Sequence, residues 1–154
     1  MPSEILVTVA EVAAAFVGFS MVVGLLSPES PDFQPRFNAI RDVAEISLIA
    51  VGGSLIPLAA GLFVISELTL WRFCSLGLSV VWLAGISAAV MRHRKSGVSP
   101  PRVVGVFIVV GHALLWWNTV SPTGAAAGRY VIALLALLAS AGVLFISATF
   151  RSRL

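Results

Sequence analysis

The sequence predicts an all-α fold: a polytopic integral membrane protein built as a five-transmembrane-helix bundle, with its N-terminus outside and its C-terminus inside. Three observations predict it. The chain is 58% hydrophobic and 11% charged, whereas a soluble domain carries about 25% charged residues. Its apolar residues fall into five long runs separated by short connectors, and about 20 apolar residues suffice to cross a hydrocarbon core. The basic residues gather at alternate ends of those runs. With a mean hydropathy of +1.01, lipid rather than water must solvate much of the chain. Residues 1–154 form one membrane domain.

Segment one covers about 5–26 and carries Glu11. It ends at Ser27-Pro28-Glu29-Ser30-Pro31, because proline cannot continue a helix. No Lys or Arg precedes its apolar run, whereas a secretory signal needs a positive n-region. The segment is therefore expected to stay in the mature protein. Segment two covers about 39–66. Arg41, Asp42 and Glu45 lie in its first turns, and Gly52-Gly53 and Pro57 interrupt its middle. Its stretch Val43 to Ile65 has Glu45 as its one charge and is the clearest span.

Segment three covers about 71–91 and closes on Arg92-His93-Arg94-Lys95. Segment four, about 103–120, is the shortest and contains His112. Segment five covers about 129–150 and precedes the tail Arg151-Ser152-Arg153-Leu154.

Five spans place the termini on opposite sides, and the positive-inside rule selects the orientation. With the N-terminus outside, Arg36, Arg41, Arg92, Arg94, Lys95, Arg102, Arg151 and Arg153 all fall inside. Only Arg72 and Arg129 fall outside. Treating segment four as interfacial weakens that asymmetry. In the five-span arrangement Trp71, Trp116, Trp117 and Tyr130 lie near the outer face, where aromatic residues favour the interface. Arg92, Arg94 and Lys95 are expected to touch lipid headgroups. The basic pI follows from these flanking residues. Nucleic-acid binding is not expected, since no basic face with interleaved aromatics exists. The expected location is the bacterial inner membrane.

An ionisable group at membrane depth costs on the order of 3 kcal/mol and is a functional candidate by default. Glu11, His112 and Glu45 are the transport-pathway candidates. Glu11 lies roughly 9 Å below the outer edge. Its bland alternative is a neutral carboxyl bonded across a helix interface. His112 lies near the midplane, and its residue type titrates near neutral pH. Its bland alternative is a neutral ring bonded to a carbonyl or hydroxyl. The two can meet only if segments one and four pack together. Arg41, Asp42 and Glu45 form an inner-face polar cluster at i,i+4 and i,i+3 spacings, where acidic groups also suit a helix N-terminus. Cys74 reads as a small packing hydrophobe.

No phosphate loop, nucleophile elbow or zinc-helix motif occurs. Cys74, His93 and His112 lack the spacing of metal or haem ligands, so no metal, cofactor or catalytic residue is expected. The function expected is a homo-oligomeric channel or transporter for protons or small ions. The alternative is a non-catalytic accessory or scaffold subunit binding a protein partner through small-residue faces. A third reading, a lipid-modifying enzyme using Arg41, Asp42 and Glu45, has the least behind it.

Overall fold

The structure, a computed structural model, describes residues 2–26, 33–63, 66–96 and 101–150. They form α1 (Pro2–Leu26), α2 (Phe33–Ala60), α3 (Glu67–Ser96), α4 (Arg102–Val120) and α5 (Ala126–Phe150), with no strand among the described residues. All five helices are long and apolar enough to cross a membrane. The shortest, α4, has 19 residues and a length of about 28 Å at 1.5 Å per residue, close to a hydrocarbon thickness of about 30 Å.

The helix bounds differ from those expected, for local reasons. α2 starts at Phe33 rather than near 39. Pro35 sits in its first turn, where a missing N–H has no intrahelical partner to lose. α2 stops at Ala60 rather than Ser66. There the Leu62 and Phe63 N–H groups reach back only three residues, to Ala59 and Ala60, a tightening that ends a helix. α3 starts at Glu67 rather than 71, because the Ser66 hydroxyl accepts the Thr69 N–H at 3.3 Å and caps it. It continues past Met91 through Arg92 to Lys95, where cations suit the helix C-terminus. α5 opens at Ala126 rather than 129. Arg151, Arg153, the Ser27–Pro31 connector and the Arg36 side chain lie outside the described residues.

α5 is the centre of the bundle and touches each of the other four helices. α1, α2, α3 and α4 follow one another around it as an arc, and α1 makes no contact with α4. The burial follows this plan: 56% of the apolar stretch of α5 is buried, against 22–33% for the others. The exterior is apolar on every helix, with Leu25, Ile56, Phe73, Val109 and Ile146 facing outward. A water-soluble monomer rarely exposes so continuous an apolar surface.

Two close approaches fix how the helices pack. At Gly111 the ring of Trp82 lies against the α4 backbone, in space that a Cβ would occupy. The second involves Gly53 and Pro57. Pro57 has no N–H to offer the Gly53 carbonyl, yet α2 remains helical through this stretch. The buried Tyr130 hydroxyl of α5 donates to that carbonyl instead, at 2.8 Å. The expected interruption is therefore repaired from a neighbouring helix, as apolar surroundings require. Ser20, Ser54, Ser140, Thr119 and Thr149 likewise return their hydroxyls to carbonyls one turn earlier, which satisfies them without a second chain.

Candidate functional site

The polar residues that α2 and α3 carry at one end of the bundle form one ion-paired network. Consecutive antiparallel helices bring the first half of α2 level with the last turns of α3. Asp42, only 3% exposed, is the centre. Its Oδ1 accepts from Arg92 Nη2 at 2.5 Å and its Oδ2 from His93 Nε2 at 2.6 Å. Because a carboxylate oxygen only accepts, His93 Nε2 carries the proton of that bond. Arg92 Nη2 also reaches Glu45 Oε2 at 2.5 Å, and Arg41 Nε donates to Glu45 Oε1 at 2.7 Å. A carboxylate this buried persists only with its charge compensated, and α3 supplies the Arg92 guanidinium.

Two expectations change here. Arg92 does not reach outward toward headgroups. Its side chain is 19% exposed and committed to Asp42 and Glu45, because the buried carboxylates hold it. Arg94 and Lys95 remain exposed. The helix-dipole account of the acidic pair also loses its basis. With α2 starting at Phe33, Asp42 and Glu45 lie beyond the first turn, where the dipole effect has faded.

The network rims a cavity of about 340 Å³ between α2, α3, α4 and α5. Its walls are Ile46 and Ile49 of α2, Ile86 of α3, Ile108 of α4 and Leu144 of α5. Trp82 also lines it. His112 stacks on Trp82, with ring centroids 4.4 Å apart. His112 Nδ1 lies 3.0 Å from the Ile108 carbonyl, so Nδ1 carries the proton of that bond. Nε2 is buried and has no partner among the described residues. The buried Ser79 hydroxyl is also without a partner among them.

Glu11 stands apart from all of this. It is exposed on α1, and α1 does not touch α4, so packing does not bring Glu11 and His112 together. Glu4 and Thr8 share its exposed face, and the Thr8 hydroxyl donates to the Glu4 carbonyl at 3.0 Å.

The opposite end of the bundle is also polar. The cavity of about 500 Å³ beside it, lined by α2, α3 and Tyr130, has no charged residue in its lining among the described residues. Asn118 is fully buried. Its Nδ2 donates to the Ala126 carbonyl at 2.8 Å and to the Ser75 hydroxyl at 3.3 Å. Its Oδ1 accepts from Arg129 at 3.4 Å. Arg129 also donates to Thr123 at 2.9 Å and lies over the Trp117 ring at 4.7 Å. The aromatics divide: Trp116 and Trp117 are half exposed, whereas Trp71 and Tyr130 are buried and pack together at 5.4 Å. Trp71 and Tyr130 therefore serve the core rather than an interface belt.

Sequence reasoning placed Arg41, Asp42 and Glu45 together but missed His93 and the inward turn of Arg92. The signal was present, since consecutive spans with a short turn set the start of one level with the end of the next. Among the described residues, no three His, Cys, Asp or Glu side chains gather as metal ligands.

The class of protein rests on this fold alone: an all-helical bundle whose five helices suggest an integral membrane protein. No family model, curated protein or solved structure matches the chain.

Proposed function

We propose that this is a small multi-pass transport protein that moves protons or small ions through the interior of one protomer. The Asp42 end would face the cytoplasm, since among the described residues Arg41, Arg92, Arg94, Lys95 and Arg102 lie at that end. Arg72 and Arg129 lie at the other. The observation that carries the reading is His112: a half-buried imidazole whose buried Nε2 has no partner among the described residues, stacked behind the Trp82 wall of a cavity with a charged rim. An unpaired buried acceptor is costly, and a group that gains and loses a proton gives it a use. Glu45 belongs to the rim of this pathway, and Glu11 is outside it.

Reconstituted vesicles carrying a pH-sensitive dye test the reading. Wild-type protein is expected to dissipate an imposed proton gradient, and His112→Phe to abolish that flux. Absence of flux in the wild type, or unchanged flux in His112→Phe, overturns it.

A second reading, an accessory subunit, is favoured by the acidic face of α1, where Glu4 and Glu11 are exposed. A carboxyl at that depth is better covered by a partner helix than by lipid. Recovery of a stoichiometric protein partner in mild detergent, lost in Glu11→Lys, supports it. A preparation containing this chain alone counts against it.

A further inference from the structure

We propose that the cavity binds a single-chain anionic amphiphile, with its head at the Arg94 side of the rim and its chain against Trp82 and the isoleucines. This rests on the shape and charge of the cavity and not on proton movement. A volume of about 340 Å³ falls within the usual range for small-molecule sites, roughly 300–1,000 Å³. The walls decide what fills it. Apart from the charged rim they are apolar, and the one hydroxyl among them, Ser140, is turned to the Ala136 carbonyl. An alkyl chain fits such a chamber.

The rim decides the sign of the head. All four carboxylate oxygens of Asp42 and Glu45 already accept from Arg92, His93 or Arg41. A cationic head would have to displace one of these. The cations are not used up in the same way. Arg94 lines the cavity and has no protein partner among the described residues. Arg92 keeps a buried Nε with no acceptor among them. With Arg41 on Glu45, three arginines stand at the rim against two carboxylates, so a carboxylate or phosphate head is complementary. Guanidinium groups suit both.

Quenching of tryptophan fluorescence tests this on the whole protein in neutral detergent. The probe is 9,10-dibromostearate, with its neutral methyl ester as control. Saturable quenching is expected, absent in Trp82→Phe. It should be about tenfold weaker for the ester and about tenfold weaker in Arg94→Gln, the size of one charged hydrogen bond. Ala89→Phe, which fills the cavity, should remove it. Arg94 is exposed, so its substitution leaves the fold intact. Dodecyl phosphate should compete and inorganic phosphate should not.

Equal quenching by acid and ester, or quenching indifferent to Arg94→Gln or Ala89→Phe, overturns the proposal. So does inorganic phosphate competing as well as dodecyl phosphate, which would mark a plain anion site. A dibromostearate signal that dodecyl phosphate cannot displace upholds it and identifies the head as a carboxylate. Amphiphile binding without proton flux retires only the transport reading.

Discussion

The two ends of the bundle bury polar groups in opposite styles. At the Asn118 end the buried groups are neutral and matched at close range. The cavity of about 500 Å³ beside them, lined by Gly53, Phe73 and Tyr130, has no charged residue in its lining among the described residues. Asn118 ties α4 to α3 and α5, and Tyr130 completes the hydrogen bonding of α2. At the Asp42 end both carboxylates are paired while Arg92 keeps a buried Nε without an acceptor among the described residues, and the network borders an apolar chamber. A neutral pair such as Tyr130 and Gly53 beside an apolar chamber holds helices together. A charged network at the rim of a cavity also gives that cavity an entrance of defined polarity. The comparison separates structural polarity from candidate functional polarity by charge at the rim.

The largest effect that would sharpen this contrast is expected at Asp42. Asp42→Asn leaves Arg92 and His93 facing an uncharged amide, and removing one partner of a buried pair costs about 3 kcal/mol or more. Thermal unfolding in detergent measures it. Glu45→Gln should cost far less, about 0.5–1 kcal/mol, since its side chain is 32% exposed and Arg92 keeps Asp42. If the two variants were equal, Asp42 would not be the centre of the network.

Gly111→Ala comes next. The added methyl falls where the Trp82 ring lies, and overpacking costs about 1–3 kcal/mol. Because Trp82 also lines the cavity, this variant should disturb amphiphile quenching together with stability. Asn118→Ala, a destabilisation of similar size at the opposite end, should leave quenching unchanged. Parallel loss in both would erase the distinction between the ends.

Much of this was legible in advance, and the illegible part has a common cause. Five apolar runs announced five helices, because the cost of burying backbone in oil leaves little alternative. The grouping of Arg41, Asp42 and Glu45 was legible because it is local to one helix. The partnership of Asp42 with Arg92 and His93 was not, because it depends on which helix lies beside which. Glu11 and His112 show the converse. Both stand out by type and depth, yet the order of helices around α5 separates them. Gly52-Gly53 and Pro57 marked an interruption of α2; only the packing of α5 told that Tyr130 would satisfy the Gly53 carbonyl.

That repair makes a smaller prediction of its own. Tyr130→Phe leaves the Gly53 carbonyl unsatisfied in a buried site and should cost about 1–2 kcal/mol. In a Pro57→Ala background the restored N–H can take the carbonyl, so the same change should cost roughly half as much. A double-mutant cycle reads the difference directly. Strict additivity would mean that Tyr130 contributes by packing against Trp71 and not by its hydroxyl.

The smallest effect is expected at Glu11. It is exposed on α1 and has no partner among the described residues, so Glu11→Gln should change the stability of the isolated chain by less than about 0.5 kcal/mol. The interest lies in how that value changes with protein concentration. A carboxyl on the outside of a lone bundle has nothing to lose, but one covered by another chain is bound into an interface, and its substitution then shifts association as well. If the unfolding midpoint of the wild type rises with concentration and that of Glu11→Gln does not, the α1 face is an interface. Identical behaviour at all concentrations leaves Glu11 a surface group and keeps the chemistry of this bundle at its Asp42 end.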